Sequence, residues 1–300
     1  MATLSFIGVG RMGSGMAARL LEAGHAVQIF DPKTAAVEAL VRQGAIATQS
    51  PAKAAQGADV VFTSLPNPAI LRDAIEGPGG VLAADLAGVT IIDMSTVDPE
   101  TARSLAAAAE AKGGRFVDSP VSGGVAAAAA GTLLLMVGAS PEDLEKVRPY
   151  LEQISSRIVH CGPVGAGQLT KLSHNMLVAI NTVAAGEVLA AAIKAGGNLK
   201  TLTEVYSAGL AGSKMLDHFG KTLFTEERPP LFALDLMHKD ISLCLKEFGQ
   251  FPMPVSQLVM QTYNAARAKG LGGQDSTGVN EIYEELFGLQ LRADAKENNA

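Results

Sequence analysis

The stretch Thr3-Leu-Ser-Phe-Ile-Gly8-Val-Gly10-Arg-Met-Gly13 begins as an apolar strand and ends in a glycine-rich turn, and residues 14–22 then predict a helix. In such a turn Gly8 permits the sharp bend, Gly10 lets a pyrophosphate approach the backbone, and Gly13 lets the helix pack closely on the strand. The N–H groups and positive dipole at the start of the helix favour phosphate binding. The order of strand, glycines and helix therefore predicts the phosphate-binding turn of a dinucleotide site.

The next predicted strand, residues 26–30, is followed by Asp31, which lies 18 residues after Gly13. An acidic residue near this spacing accepts hydrogen bonds from the ribose hydroxyls of NAD, and its charge repels the 2′-phosphate of NADP. Pro32 follows instead of an arginine, although Lys33 offsets part of the repulsion. The sequence therefore predicts NAD rather than NADP as the cofactor.

Composition and charge favour a soluble two-domain protein with small-molecule chemistry. The 300 residues are 48% hydrophobic and 18% charged, which is long for one core and suits two domains. The formal net charge of −6, without a basic run, argues against nucleic acid as a partner. Two cysteines and no apparent signal peptide indicate a reducing, cytoplasmic location. No metal site is expected, because no cluster of His, Cys and Asp has ligand spacing.

Two further features of the composition concern single segments. Residues 176–195 are the most apolar long segment, but Asn181, Glu187 and Lys194 lie within it, which favours a buried helix over a membrane span. Residues 293–300 are polar and are expected to be disordered.

Up to about residue 162, apolar strands alternate with helices. Besides the two strands already described, we expect strands at residues 59–65, 89–93, 114–118, 133–137 and 157–160. Intervening helices are expected at residues 50–56, 68–76, 99–112 and 141–153. Continuously apolar strands separated by helices indicate a largely parallel sheet covered on both faces. Residues 1–162 are thus predicted to form a doubly wound, Rossmann-type α/β domain that binds NAD.

After residue 162 the pattern becomes helical. Residues 168–195 predict one long helix, and we expect further helices at residues 200–207, 234–248, 254–269 and 279–289. No convincing strand is expected in this part of the chain. Residues 163–300 are therefore predicted to form an all-α domain for substrate binding and oligomerisation, attached through a long interdomain helix.

Four stretches in order carry a resemblance to a known family: Phe6-Ile-Gly-Val-Gly-Arg-Met-Gly13, Asp118-Ser-Pro-Val-Ser-Gly-Gly124, Gly165-Ala-Gly-Gln-Leu-Thr-Lys-Leu-Ser-His-Asn175 and His238-Lys-Asp240. Together they resemble the cofactor signature, substrate loop, catalytic-lysine segment and a later signature of the β-hydroxyacid dehydrogenases. This family includes 3-hydroxyisobutyrate dehydrogenase and tartronate semialdehyde reductase, and the resemblance covers nearly the whole chain.

Lys171 and Asn175 are four residues apart, so they share one face of the predicted long helix. A lysine whose pKa is lowered by burial can exchange a proton with a hydroxyl, and an asparagine can hold polar groups without a charge. From spacing alone, a solvated helix face is the stronger interpretation. The resemblance implies instead that Lys171 is the general acid/base and that both residues bind substrate. It gives no catalytic role to His174, for which helix packing or surface exposure is expected.

Ser122-Gly123-Gly124 offers a hydroxyl group and two unencumbered backbone amides. Such a turn can bind a carboxylate through its N–H donors, although an ordinary Gly-Gly turn has the same sequence. The resemblance implies that Ser122, Gly123 and Gly124 bind the carboxylate of the substrate.

The resemblance also implies a set of cofactor contacts. The residues concerned are Gly8, Gly10, Arg11, Met12, Gly13, Asp31, Leu65, Pro66, Thr96 and Lys239. Leu65-Pro66 and Thr96 follow predicted strands, where ligands collect in such sheets, but plain turns occur there too. Lys239 matches a lysine that reaches the cofactor from the helical domain, with a surface lysine as the alternative. Phe232 matches an aromatic residue of the same region, with a core residue as the alternative.

The reaction implied by the resemblance is reversible hydride transfer between the nicotinamide and a small carboxylate-bearing hydroxyacid or semialdehyde. Candidate substrates are 3-hydroxyisobutyrate, glycerate with tartronate semialdehyde, serine and 4-hydroxybutyrate. We expect specificity to come from residues 209–214 and from positions near Phe232 and Leu236, and residues 209–213 are more similar to the tartronate semialdehyde reductase branch. The family is usually dimeric or tetrameric, so we expect a homo-oligomer, with a tetramer favoured.

Three other classes share this architecture. A non-catalytic dinucleotide-binding protein and an imine reductase would lack the lysine that stands at position 171. A 6-phosphogluconate-type dehydrogenase would need a basic phosphate pocket and a longer helical domain, and neither is evident in the sequence.

Overall fold

A computed structural model describes residues 1–292 and shows a sheet of nine strands followed by helices. The expected disorder of residues 293–300 lies outside the described residues. The strands are β1 (Thr3–Ile7), β2 (Ala26–Phe30), β3 (Ile46–Ala47), β4 (Val60–Thr63), β5 (Thr90–Asp93), β6 (Arg115–Asp118), β7 (Val121–Ser122), β8 (Leu133–Gly138) and β9 (Ser155–Gly162). The helices that accompany them are α1 (Gly13–Glu22), α2 (Thr34–Val41), α3 (Pro51–Ala55), α4 (Pro68–Glu76), α5 (Pro99–Glu110), α6 (Gly124–Ala130) and α7 (Pro141–Leu151).

The sheet has the strand order β3-β2-β1-β4-β5-β6-β8-β7, with β9 paired in parallel to β8. All neighbours from β3 to β6 are parallel, whereas β8 runs antiparallel to β6 and β7. The order 3-2-1-4-5-6 is that of a dinucleotide-binding sheet. The prediction of a largely parallel, doubly wound domain is therefore confirmed, with an antiparallel addition at one end that the sequence did not reveal.

Alternate side chains along the central strands enter two separate cores. In β1, Leu4 and Phe6 pack into one apolar cluster, and Ile7 packs into the other. In β4, Phe62 and Val61 divide in the same way. Since successive residues of a strand point to opposite faces, helices cover both sides of this sheet.

Four helices of this region begin with proline, and a side chain caps each of them. Ser50, Asn67, Asp98 and Ser140 each accept a hydrogen bond from an N–H group of the first helical turn. Proline suits the first position because its nitrogen has no hydrogen that would be left without a partner. These caps explain why the predicted starts of α4, α5 and α7 match the structure.

Beyond Gly162, the described residues form helices and short 3₁₀ segments. The helices are α8 (Ala166–Lys194), α9 (Leu199–Ala208), α10 (Lys214–Phe219), α11 (Leu234–Phe248), α12 (Pro254–Ala268) and α13 (Glu281–Phe287). The 3₁₀ segments are Leu271–Gly273 and Ser276–Asn280. The all-α prediction is confirmed. The short helices α2, α6 and α10 were not predicted.

The chain divides into two compact units, Met1–Leu172 and Ser173–Ala300, so the division falls within α8. The boundary at residue 162 stays a prediction. Helix α8 has the length and hydropathy that a membrane span requires, but it carries the buried polar residues Lys171, Asn175 and Thr182. Buried polar groups of this kind are typical of a core helix, as the sequence predicts.

Candidate active site

The glycine-rich turn follows β1 and has the geometry that a dinucleotide needs. Gly8 has a φ of +87°, and its N–H donates to the Phe30 carbonyl at 2.8 Å. A side chain at Gly8 would lie 2.7 Å from the Leu65 side chain, whereas one at Gly10 would meet nothing within 4 Å. The space beside Gly10 lets a pyrophosphate approach the backbone.

The start of α1 completes this turn. A Cβ at Gly13 would lie 3.0 Å from the Phe6 ring, so only glycine allows the helix to pack this closely on β1. No side chain caps α1, and the dipole and N–H groups at a helix start favour an anionic ligand. Arg11 is exposed and Met12 is half-buried in the same turn. These residues fit the expected cofactor.

Asp31 follows β2 directly and is half-buried. Its Oδ1 accepts a hydrogen bond of 2.8 Å from the Lys33 backbone N–H. This local bond restrains the carboxylate at the carboxyl edge of the sheet, next in strand order to the glycine-rich turn. The position is the one at which a ribose is bound in such sheets.

The loops after β4 and β5 are joined to each other. The Leu65 N–H donates to Ser95 Oγ at 2.9 Å, and the Ser95 N–H donates to Asp93 Oδ1 at 3.0 Å. Thr63 Oγ1 donates to the same Asp93 oxygen at 2.7 Å. Since β4 and β5 are parallel neighbours, Leu65 and the adjacent exposed Pro66 lie at the same edge as half-buried Thr96.

The expected carboxylate loop follows β6 and has a backbone that favours glycine. Gly123 and Gly124 have φ angles of +136° and +73°, in a region that other residues rarely adopt. A Cβ at Gly123 would lie 2.6 Å from the Ala127 side chain, while Gly124 faces open space. Ser122, the last residue of β7, is half-buried. The loop therefore combines a hydroxyl group with accessible backbone, as carboxylate binding requires.

A buried carboxylate from the sheet caps the helix that carries Lys171. Asp118, at the end of β6, is fully buried and accepts N–H bonds from Gly165 at 2.6 Å and Gln168 at 2.8 Å. Burial raises the pKa of Asp118 to about 7, and Asp93 adds to the rise, whereas the N–H donors act in the opposite direction. The start of α8 is thereby attached to the carboxyl edge of the sheet.

Lys171 lies in the second turn of α8 and is only 8% exposed. Asn175, one turn later, is 4% exposed. The alternative of a solvated helix face is therefore wrong for both residues. A lysine that exchanges protons with a substrate needs such a shielded position. Their roles in proton exchange and substrate binding stay predictions.

Within the helical unit, Asn175 is held by two side chains. Its Nδ2 donates to Asp240 Oδ2 at 2.6 Å, and its Oδ1 lies 2.9 Å from His174 Nδ1. Asp240 is buried and also pairs with Lys239, whose Nζ lies 3.0 Å from Oδ1. Lys239 is half-buried, so it is not a fully solvated surface residue. His174 is also half-buried, and its contact orients the Asn175 amide.

The other expected specificity residues also lie in the helical unit. Phe232 is half-buried, and its N–H donates to Asp275 Oδ2 at 2.9 Å. Leu236 is 36% exposed on α11. Residues 209–213 connect α9 to α10, where Ser213 Oγ accepts the Leu216 N–H at 3.1 Å. In residues 1–292, no three His, Cys, Asp or Glu side chains form a group able to hold a metal ion.

Sequence reasoning missed Asp118 and Gln168 as structural partners in the first unit, and Asp240 as the partner of Asn175 in the helical unit. All three lie inside the quoted motifs, so the motifs were the available signal. Their partners are distant in sequence, however, and no local pattern identifies them.

Comparison with known proteins gives matches along both parts of the chain. Residues 3–162 match the profile of the NAD-binding domain of 6-phosphogluconate dehydrogenase. Residues 165–283 match the profile described as NAD-binding of NADP-dependent 3-hydroxyisobutyrate dehydrogenase.

Whole-chain relatives are similar in length. The chain is 39% identical over 291 residues to 2-(hydroxymethyl)glutarate dehydrogenase of Eubacterium barkeri, covering 96% of this chain and 97% of the relative. It is 35% identical over 297 residues to NAD-dependent L-serine dehydrogenase of Pseudomonas aeruginosa, covering 96% and 100%. A solved structure of Mycobacterium tuberculosis 3-hydroxyisobutyrate dehydrogenase with L-serine matches with a TM-score of 0.84 and 32% identity, covering 94% of this chain and 99% of that one.

Proposed function

Because this chain belongs to the β-hydroxyacid dehydrogenase family, we propose that it is an NAD-dependent oxidoreductase that acts on short 3-hydroxyacids. The observation that carries the proposal is the burial of Lys171 on a helix attached to the edge where Gly8, Asp31 and Thr96 lie. A shielded lysine beside a dinucleotide site suits proton exchange with an alcohol.

The proposed substrate class follows from the chemistry of the relatives' named substrates. 3-Hydroxyisobutyrate, L-serine and 2-(hydroxymethyl)glutarate each carry a hydroxymethyl group on the carbon that bears a carboxylate. We therefore infer a substrate of the form HOCH₂–CH(R)–COO⁻, which is oxidised to the corresponding semialdehyde. The group R is left open between small apolar, hydroxyl, amino and carboxylate-bearing substituents, and 4-hydroxybutyrate is the candidate outside this class.

The glycine-rich turn and Asp31 would hold the nicotinamide cofactor, which would supply a hydride acceptor for the carbinol carbon in oxidation and a hydride donor in the reverse direction. Ser122 Oγ and the backbone of Gly123 and Gly124 bind the substrate carboxylate. Lys171 Nζ takes the hydroxyl proton as the carbonyl forms, so that alcohol and NAD⁺ give semialdehyde, NADH and one proton. Asn175, one helical turn after Lys171, orients the polar groups of the substrate. Positioning lowers the barrier, and proton transfer contributes roughly 10²–10⁴-fold.

We propose NAD rather than NADP as the cofactor because the Asp31 carboxylate is restrained where a 2′-phosphate would lie. The Lys33 N–H that binds Asp31 is a backbone donor, so it leaves the negative charge of the carboxylate in place.

A substrate screen tests the function. The protein would be incubated with NAD⁺ and each of 3-hydroxyisobutyrate, glycerate, serine, 2-(hydroxymethyl)glutarate and 4-hydroxybutyrate, and NADH formation would be followed by absorbance. We expect turnover with at least one acid of the proposed class, and the semialdehydes with NADH give the reverse reaction. Inactivity on every acid, together with intact NADH binding, would favour a non-catalytic dinucleotide-binding protein.

A further inference from the structure

Gln168 holds the backbone on both sides of Thr96. Its Nε2 donates to the Ser95 carbonyl at 2.9 Å, and its Oε1 accepts the Val97 N–H at 3.0 Å. The side chain is fully buried, as are Ser95 and Val97. One amide therefore satisfies a donor and an acceptor of the β5–α5 loop, 71 and 73 residues away in the sequence.

This pair of bonds fixes the conformation of the residue between them. In extended backbone, the carbonyl before a residue and the N–H after it point to the same side, where a neighbouring strand would supply the complementary groups. A primary amide offers the same donor and acceptor. Leaving either buried backbone group without a partner is energetically unfavourable. Gln168 thus supplies the partners of both backbone groups that flank Thr96.

The same residue is attached to the rest of the site in two further ways. Its backbone N–H donates to the Asp118 carboxylate at 2.8 Å, so its position on the sheet is set independently of its side chain. Lys171 lies three residues later on α8 and is therefore its neighbour on the helix surface. Ser95, which accepts the Leu65 N–H at 2.9 Å, extends the connection to the β4 loop.

We propose that Gln168 is a positioning residue for the reaction: its amide holds Thr96, and through Ser95 also Leu65, at a fixed distance from Lys171. The proposal rests on the proposed function, in which Lys171 moves the proton, and on the expectation that Thr96 contacts the cofactor. Gln168 itself touches neither cofactor nor substrate. A displacement of about 1 Å in such a site can lower the rate about 10²-fold.

Replacing Gln168 by glutamate tests the proposal, because the loss of activity should depend on pH. Simple destabilisation of the fold would not produce this dependence. A protonated carboxyl has one acceptor and one donor, so it reproduces the pattern of the amide. An ionised carboxylate has no donor and faces the Ser95 carbonyl. Burial raises the pKa of the introduced carboxyl group, so its protonated form becomes more populated as the pH falls.

The measurement is kcat of Gln168→Glu divided by kcat of the wild type, across the pH range in which both stay folded. We expect a ratio near 10⁻² at high pH that rises at least tenfold as the pH falls. Using the ratio removes the titration of groups that both proteins share.

Gln28→Glu is the matched control. Gln28 lies on β2 in the same unit, and its Nε2 also bridges distant backbone, donating to the carbonyls of Ala54 and Gln56 at 3.1 Å. This control shows what the loss of such a bridge does to folding alone. We expect a similar fall in Tm, with kcat within about threefold of the wild type at every pH.

A second variant gives a readout that needs no turnover. Gln168→Met keeps the length of the side chain but removes both hydrogen bonds. Amide hydrogen exchange followed by NMR should become at least tenfold faster at Val97 and change little at Ile92 in β5, because only Val97 loses its acceptor.

The outcomes separate the two proposals. Positioning by Gln168 is contradicted by a pH-independent ratio near one, by equal losses of kcat in Gln168→Glu and Gln28→Glu, or by unchanged exchange at Val97. Failure of the wild type on every hydroxyacid contradicts the proposed function instead, while the exchange experiment still decides whether Gln168 holds the loop.

Discussion

The surroundings of a polar side chain determine its orientation and its access to water. The Asn175 amide nitrogen donates to Asp240 and the amide oxygen contacts His174, so the orientation of the amide is determined before a substrate arrives. Lys171 is 8% exposed, which keeps bulk water from exchanging its proton freely. Such preorganised groups act in a transition state without further rearrangement.

Replacing Lys171 by methionine should remove the proton acceptor while preserving the volume of the side chain. We expect kcat to fall by about 10²–10⁴-fold, with the NADH dissociation constant, measured by fluorescence, within about threefold of the wild type. Lys53→Met, on the exposed lysine of α3, is the control and should leave both unchanged. Near-normal turnover of Lys171→Met would rule out the acid/base role.

Converting Asp31 to asparagine and Pro32 to arginine should shift cofactor preference toward NADP. The double change removes the repulsive carboxylate and adds a cation where a 2′-phosphate would lie. The measurement is the ratio of kcat/KM with NAD to that with NADP, and we expect it to fall by at least tenfold. Equal use of both cofactors by the wild type would already contradict our assignment.

The sequence predicted the site residues whose structure depends on neighbours within the same short motif. The spacing of Gly8, Gly10 and Gly13 predicted the turn that the structure contains. The capping bond of Asp118 to Gln168 could not be predicted, because the two residues are 50 positions apart. Their contact depends on strand order, which local patterns do not encode.

The start of helix α8 is capped by a residue that is distant in the sequence. The Asp118 carboxylate serves as its cap, in place of a side chain from the preceding turn. The helix start was predicted at residue 168 and lies at Ala166. The residues just before α8 include no capping side chain, and Asp118 at the end of β6 supplies the cap instead. Elements of two residues, such as β3 and β7, were missed since they have too few residues to show a period.

The pKa of Asp118, raised to about 7 from 3.8, links this cap to pH. Between these values the folded protein binds a proton here that the unfolded chain has released. The free energy of unfolding should therefore fall as the pH rises from about 4 to 7 and level off above it. The slope reaches at most about 1.4 kcal/mol per pH unit.

Calorimetry of the wild type and Asp118→Asn across this interval measures the effect. The Tm of the wild type should decline relative to that of the variant as the pH rises. Asp85→Asn removes the same charge from an exposed position and should run parallel to the wild type. Parallel curves for all three proteins would contradict the raised pKa.

In a single copy of the protein, several large apolar side chains are exposed to water. On α8, Leu177 and Val188 are 57% and 53% exposed and lie 11 residues apart, which places them on the same face of the helix. Exposed apolar faces on a helix mark association sites. They support the expectation of a homo-oligomer.

Replacing Leu177 and Val188 together by glutamate should therefore lower the mass measured by light scattering after size-exclusion chromatography. Charge repulsion and the cost of burying carboxylates both oppose association. Val41→Glu, on the 43%-exposed valine of α2, is the control and should keep the native mass. A wild type that is monomeric at every concentration would contradict this expectation.

The cap on α8 also determines where the protein can be divided. A fragment that ends at residue 162 would keep the buried Asp118 but lose both of its N–H donors, Gly165 and Gln168, and would leave Ser95 and Val97 without the amide between them. A fragment that extends to Leu172 keeps all of these partners. Expression of the nucleotide-binding part on its own should therefore succeed with the first two turns of the helix included, and a swap of helical parts between relatives should join the chains after this point.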